Sequence, residues 1–353
     1  METGSFNAIT DVPGVLVGQV TLIQGAGALI RGAGPVRTGV TIILPHGGNL
    51  FREKVPAAVF VLNGFGKCFG QEQIDELGVI ESPIAMTGTM NVGLVVDALA
   101  QYSIVTNPDV AVSTSTVNAV VTECSDSYLN DMQGRHVRYE HVLAAIENAR
   151  SGPVEEGTVG AGTGMTLFGF KGGIGTASRR LPSDLGGYTV GAIVLGNFGR
   201  RDQLTIAGVP IGRALENWHP SDNRPETGSI IVVIGTDAPM LDRGLRRLAR
   251  RAALGLARVG SISGNGSGDY IIAFSNSLRI PHDTSERTLN FDLVVETGHL
   301  IDALFQATVE STEESVVNAL FRATTIDGRD NHVRHALPLE PALAALHRAG
   351  AIE

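Results

Sequence analysis

The chain has 353 residues, 43% of them hydrophobic and only 18% charged, enough to bury roughly three quarters of its unfolded surface. Its net charge of −9, without a long basic run, points away from nucleic acid. Two cysteines without a CxxC spacing exclude a disulfide framework, and the 44 glycines follow no collagen-like period.

Taken in chain order, the N-terminal METGSFNAITDVPGV lacks the charged and then apolar pattern of a secretion signal. No apolar run approaches the ~18 residues of a membrane span. Cys68 and Cys124 read as buried free thiols, which suits a reducing compartment. The expectation is a soluble cytoplasmic protein with no membrane or nucleic-acid partner. Short β-branched runs predict strands over 40–44 and 57–62. Helical spacing follows at 92–101 and 141–149, the latter closed by Gly152 and Pro153. A strand is predicted over 193–195. The segment 217–227 (NWHPSDNRPET) has two prolines and no aliphatic residue, and reads as an exposed loop. A strand over 230–234 follows it directly. Helix 241–259 carries the apolar stripe Leu241, Leu245, Leu248, Ala252 and Leu256. Arg243, Arg246, Arg247, Arg250 and Arg251 fall on its other faces, as a solvated face or subunit contact. A strand over 270–274 comes next. Ser311 with Glu314 reads as a capping box opening a helix over 313–323. Several strands lack polar alternation, so both their faces are expected to be buried. The mixture predicts an α/β or α+β layered domain, a single one over 1–353, rather than a doubly wound parallel sheet.

Familiar catalytic signatures are missing. There is no GxSxG elbow and no HExxH, and the nine histidines do not pair at metal-ligand spacings. No metal and no organic cofactor is expected. The glycine-rich Gly160-Ala161-Gly162-Thr163-Gly164 lacks the GxGxxG spacing of a dinucleotide loop.

The junction Glu226-Thr227-Gly228-Ser229-Ile230-Ile231 is where chemistry fits. A serine hydroxyl beside a strained amide can attack its own preceding carbonyl, and glycine at that carbonyl admits strained backbone. The acyl shift gives an ester, which water cleaves. Ser229 then begins a new chain. Its α-amine, with an ordinary pKa of about 8, can serve as base for its own hydroxyl. The plain alternative is a turn before a strand. Ser267 also follows a glycine and precedes a strand, and is the rival nucleophile. The long loop before Ser229 favours Ser229, because cut ends must separate.

Further segments carry a resemblance. These are ITDVPGVLVGQVT near the N-terminus, Arg37-Thr38-Gly39-Val40-Thr41, Leu62-Asn63-Gly64-Phe65-Gly66, VGAGTGM (159–165), Asn197-Phe198-Gly199, TGSIIVVIGTDAP (227–239) and Ser267-Gly268-Asp269. In this order they resemble the L-aminopeptidase D-amidase/D-esterase (DmpA-type) and β-aminopeptidase family. The resemblance implies an αββα sandwich shared with ornithine acetyltransferases, of N-terminal-nucleophile type. It implies autocleavage between Gly228 and Ser229, giving an α chain 1–228 and a β chain 229–353. It implies hydrolysis of N-terminal amino-acid amides, esters or short peptides, β-peptides included, through a Ser229 acyl-enzyme. Asn197 would donate to the oxyanion, or else only end a strand in a turn. Glu123 would hold the substrate amine, or else be a solvated acid. Ser267 and Asp269 would orient the nucleophile and its amine, or else form a turn. The acid at 269 is one methylene shorter than the family's glutamate. Some relatives carry a tyrosine near the Glu123 motif, where this chain has Ser125 and, further on, Tyr128. A homo-oligomer, a tetramer of αβ units, is implied. The alternatives are an acyl transferase of the ornithine-acetyltransferase kind, or a binding protein that never cleaves.

Overall fold

The computed structural model describes residues 1–218 and 228–352. Residues 219–227, most of the predicted loop, lie outside them. Two sheets are stacked, each covered by helices. The smaller sheet runs β1 (Leu16–Gln24), β2 (Val36–Leu44), β4 (Ile84–Gly88), β5 (Val120–Cys124), with Cys68–Phe69 at its edge. The larger runs β6 (Gly173–Arg180), β7 (Thr189–Asn197), β8 (Ser229–Thr236), β9 (Gly268–Ser275), β3 (Glu53–Gly64), then Ile280–Pro281. Most pairings are antiparallel, but β4 with β5 and β8 with β9 are parallel.

Side-chain alternation makes the layers. Ile231 and Val233 of β8 join Ile43, Met86 and Ile272 between the sheets. Ile230, Val232 and Ile234 face the other way, onto helix α3 (Asp242–Arg258) and helix α4 (His299–Phe321). The smaller sheet is covered by α1 (Val92–Thr106) and α2 (Tyr139–Glu147), through Val95, Leu99, Val142 and Ala145. β7, β8 and β9 are buried along their whole length, as unalternating apolar strands require. The architecture is the expected helix–sheet–sheet–helix sandwich.

Some expectations are corrected. Helix α4 begins at His299, not near 313, and Ser311 lies inside it. The polar run is compatible with a buried helix because each hydroxyl donates to the carbonyl four residues earlier. The bonds are Thr308 to Leu304 (2.8 Å), Ser311 to Ala307 (2.7 Å), Thr312 to Thr308 (2.8 Å) and Ser315 to Ser311 (2.6 Å). These small side chains let the helix lie close on β6, where a Cβ on Gly175 would fall 1.9 Å from the Ser315 carbonyl. Helix α2 ends at Glu147, before Gly152, whose φ of +99° serves the following turn. The arginines of α3 include a solvated face, with Arg243 and Arg250 exposed, and several also hold their own chain. Arg243 and Arg247 pair with Glu296, Arg246 pairs with Asp75, and Arg251 lies 3.9 Å from the Phe305 ring centre. No helix among the described residues is long and apolar enough to cross a membrane.

Candidate active site

Strand register brings the candidate residues to one end of the larger sheet. Asn197 ends β7 opposite Ser229, which opens β8; Ser229 lies opposite Gly268, which opens β9; Gly268 lies opposite Gly64 at the end of β3. One row across four strands therefore holds the predicted nucleophile at its centre. Ser229 and Asn197 share the parity of Ile231 and Leu195, so both side chains leave the sheet on its inner face.

The Gly268 N–H is shared between two acceptors, the Gly228 carbonyl at 3.2 Å and Ser229 Oγ at 3.3 Å. A backbone donor thus meets both the carbonyl that a self-cut would attack and the attacking oxygen. Glycine at 228 provides room: a Cβ there would fall 2.6 Å from the Phe198 Cα and 2.7 Å from the Asn197 carbonyl oxygen.

Asn197 is 7% exposed, and its Oδ1 accepts the Thr166 N–H at 2.8 Å. With Oδ1 committed, the amide group left to serve a ligand is the Nδ2 donor. The left-handed residue of the turn after β7 is Gly199, φ +84°, so the turn does not need Asn197.

Ser267 donates a short hydrogen bond to Asp269 Oδ1, so the shorter acid does reach it. Asp269 is fully buried and its Oδ2 has no hydrogen-bond partner among the described residues. Burial raises its carboxyl above the usual aspartate range, against the opposing Ser267 and Ser263 hydroxyls and the Ile230 backbone N–H nearby. Asn63 lies in the LNGFG segment quoted above. Its Nδ2 donates to the carbonyls of Ser267, Gly264 (3.0 Å) and Asn265 (3.3 Å), pinning the loop before β9.

Glu123, near the end of β5, is buried rather than solvated, at 3% exposure. Its Oε1 accepts the Lys67 backbone N–H at 3.1 Å and faces Lys67 Nζ at 3.4 Å; its Oε2 accepts the Thr89 hydroxyl. Gly66 joins this acid to the strand row. A Cβ on Gly66 would fall 3.4 Å from Glu123 Oε1 and 3.1 Å from the Gly268 Cα. Tyr270 donates to the Gly66 carbonyl at 2.9 Å and fixes that turn. Tyr128 stacks on His332 with ring centres 4.4 Å apart and lies 3.7 Å from the Arg334 guanidinium carbon. The same Arg334 donates to Thr166 Oγ1 at 3.1 Å, so Tyr128 backs the residue that orients Asn197. A cavity of about 220 Å³ lies beside the row, lined by Phe198, Gly199, Arg200, Gln203, Gly228 and Ser267 among others.

Residues Gly160–Gly164 are buried as a short 3-10 turn, with the Gly160 and Ala161 N–H groups bonded to Thr21 and Thr41 hydroxyls at 2.7 and 3.1 Å. These amides are engaged inside the fold, and the glycines serve close packing. Cys68 and Cys124 are free; burial pushes the Cys68 thiol up to about 12 and Cys124 well above its ordinary value. No group of three or more metal-ligating side chains occurs among the described residues.

Sequence reasoning missed Thr89, Lys67 and Tyr270, and underrated Asn63. Asn63 and Lys67 lie in or next to the LNGFG segment already singled out. Thr89 and Tyr270 carry no local signal, because only the fold brings them to the site.

A layered sheet sandwich with a serine heading a central strand, beside an amide side chain and buried acids, is an arrangement suited to acyl transfer, and the comparisons with known proteins assign the chain to the peptide-bond hydrolases. Residues 7–334 match peptidase family S58, and the chain belongs to that family. It is 42% identical over 357 residues to β-peptidyl aminopeptidase BapA of Sphingosinicella xenopeptidilytica, covering 95% of this chain and 85% of that protein. A protein of Pyrococcus horikoshii OT3 known from its crystal structure is 53% identical with a TM-score of 0.94, covering 99% of this chain and 96% of the other. The L-aminopeptidase D-Ala-esterase/amidase of Ochrobactrum anthropi, described as a prototype serine aminopeptidase with a variant Ntn-hydrolase fold, is 39% identical with a TM-score of 0.92, covering 100% and 96%. The sequence-based assignment to the DmpA and β-aminopeptidase family is therefore correct.

Proposed function

We propose that the chain is a serine aminopeptidase/amidase that matures by cutting itself between Gly228 and Ser229, and that Ser229 then carries the hydrolysis. The observation that supports this most is the single Gly268 N–H that meets both the Gly228 carbonyl and Ser229 Oγ. In maturation Ser229 Oγ attacks the Gly228 carbonyl carbon, and Gly268 N–H stabilises the oxyanion. The C–N bond breaks, leaving an amine on Ser229 and an ester on its oxygen. Water hydrolyses the ester and frees the Gly228 carboxylate. The chains are 1–228 and 229–353.

In turnover the new α-amine takes the Oγ proton as Oγ attacks the substrate carbonyl, then returns it to the leaving amine. Asn197 Nδ2 donates to the substrate oxyanion. Asp269, with its unpartnered Oδ2, holds the Ser229 amine, and Ser267 orients Asp269. Glu123 takes the substrate's ammonium, which sets the requirement for a free N-terminus. Substrates are short peptides, amides or esters with a free amine, β-peptides included, since one relative is named a β-peptidyl aminopeptidase. The two free thiols, Cys124 buried and Cys68 half-buried, fit a reducing, cytoplasmic setting, and a homo-oligomer of αβ units is the assembly the family resemblance implies.

Ser229→Ala removes the attacking oxygen. Wild type is expected to purify as two bands of roughly 24 and 13 kDa, scaling 37.0 kDa by length; the variant is expected as one band without activity. A variant that still matures would end the assignment, and an active wild type that stays in one piece would end the self-cleavage reading and leave a non-cleaving homologue. Transfer from acetyl-ornithine to glutamate, if observed in place of hydrolysis, would favour the acyl-transferase alternative.

A further inference from the structure

The amine site carries a second charge that amine binding alone does not use. Lys67 places its own ammonium 3.4 Å from Glu123 Oε1, on the oxygen that a substrate ammonium would seek. The two partners differ in burial: the Glu123 side chain is 3% exposed and that of Lys67 55%. The carboxylate is therefore fixed, while the lysine head is half-exposed on a flexible stem. The Lys67 backbone N–H is itself bonded to Glu123 at 3.1 Å. When a substrate ammonium displaces the side chain, the lysine stays anchored within reach. Its positive charge then lies beside the carbon that bears the substrate amine.

For a substrate with only an amine at that carbon, Lys67 is a tethered competitor for Glu123. For a substrate whose amine-bearing carbon also carries a carboxylate, both charges are answered. The substrate ammonium takes Glu123, the substrate carboxylate takes Lys67, and the internal ion pair exchanges for two external ones. Resting on the aminopeptidase reading above, we infer that Glu123 and Lys67 form a two-charge clamp selecting N-terminal β-linked aspartyl residues. There the amine and a carboxylate share one carbon, and the scissile carbonyl follows one methylene further on.

The test compares KM for β-alanyl and β-linked aspartyl p-nitroanilides on processed wild type, Lys67→Met and Lys67→Arg. In Lys67→Met the KM for the aspartyl substrate rises roughly tenfold, and that for the alanyl substrate falls several-fold. Lys67→Arg restores the aspartyl value to within about threefold, because the charge is kept. A lysine that merely supports the loop would move both KM values in the same direction, so the crossed response separates the roles. The inference is overturned if Lys67→Met leaves both KM values unchanged or shifts them together. It is also overturned if wild type hydrolyses the alanyl substrate and not the aspartyl one. Hydrolysis of neither substrate by processed wild type would overturn the amine-site reading and this inference with it.

Discussion

Replacing Asn197 with aspartate isolates the oxyanion donor from the fold. The two side chains have nearly the same shape. Asn197 Oδ1 accepts the Thr166 N–H at 2.8 Å, and a carboxylate oxygen keeps that bond. Alanine would instead strand a buried N–H and confuse catalysis with packing. The change that remains is Nδ2, a donor replaced by an anionic acceptor. Loss of one oxyanion donor costs about 2.7–4 kcal/mol, roughly 10²–10³ in kcat. The added negative charge beside a developing oxyanion pushes the loss to the upper end or beyond, so a fall of roughly a thousandfold is expected. Maturation draws on a different donor, because the Gly228 carbonyl is held by the Gly268 N–H, so Asn197→Asp is expected to reach two chains. The assay is kcat for an amino-acid p-nitroanilide, normalised to the processed fraction on a denaturing gel. Processed Asn197→Asp with kcat within tenfold of wild type would refute the role given to this residue.

Other expectations follow from single contacts. Glu123→Gln, which removes the charge that meets the substrate ammonium, raises KM roughly 10- to 100-fold, read from saturation curves on the processed enzyme. Gly228→Ala drives a Cβ to within 2.6 Å of the Phe198 Cα; the scissile carbonyl shifts off the Gly268 N–H, and the two bands appear roughly tenfold more slowly or not at all. Lys171 is fully buried and donates to the Gly162 and Gly172 carbonyls at 2.8 and 2.6 Å, two acceptors for the two N–H bonds of a neutral amine. Burial lowers its pKa from 10.5 to about 7. The unfolded chain then binds more protons between those values, so this group's contribution to stability grows as pH rises through that window. Lys171→Met is therefore more destabilising relative to wild type at pH about 9 than at pH about 6, by urea unfolding; an equal loss at both would refute the neutral buried amine.

How far the sequence could be read depended on the range of each interaction. β7, β8 and β9 were visible because strands buried on both faces are apolar without alternation. Helix α3 was visible because its stripe of Leu245, Leu248, Ala252 and Leu256 has helical spacing, and those residues are buried. Helix α4 was cut short because Thr308, Ser311, Thr312 and Ser315 look polar in one dimension. Their hydroxyls are satisfied by the helix's own carbonyls, which only coordinates reveal. At the site, Ser229, Asn197 and the Ser267–Asp269 pair were found through short motifs at strand ends. Lys67, Thr89 and the positioning role of Asn63 were not, because each acts across strands distant in sequence. The glycine at 228 was read as freedom of the backbone, and its second service, providing space, was not legible. A sequence shows a missing side chain, not the backbone that would collide with one.

The choice between the two serines at this sheet edge rests on hydrogen-bond direction. Ser229 and Ser267 each follow a glycine and precede a strand, and the parallel pairing of β8 with β9 sets Ser229 opposite Gly268, next to Ser267. Ser267 uses its hydroxyl as a donor, and its proton is committed to Asp269. Ser229 Oγ accepts a backbone N–H, so its proton is the one that remains for a base to remove. The same N–H reaches the carbonyl that precedes Ser229, so attacker and target share one electrostatic aid. Two serines that share a preceding glycine are thereby distinguished by which atom donates, which supports the proposed roles. On the proposed mechanism Ser267 occupies one oxygen of Asp269, which leaves Oδ2 for the amine and Ser229 Oγ as the attacking oxygen.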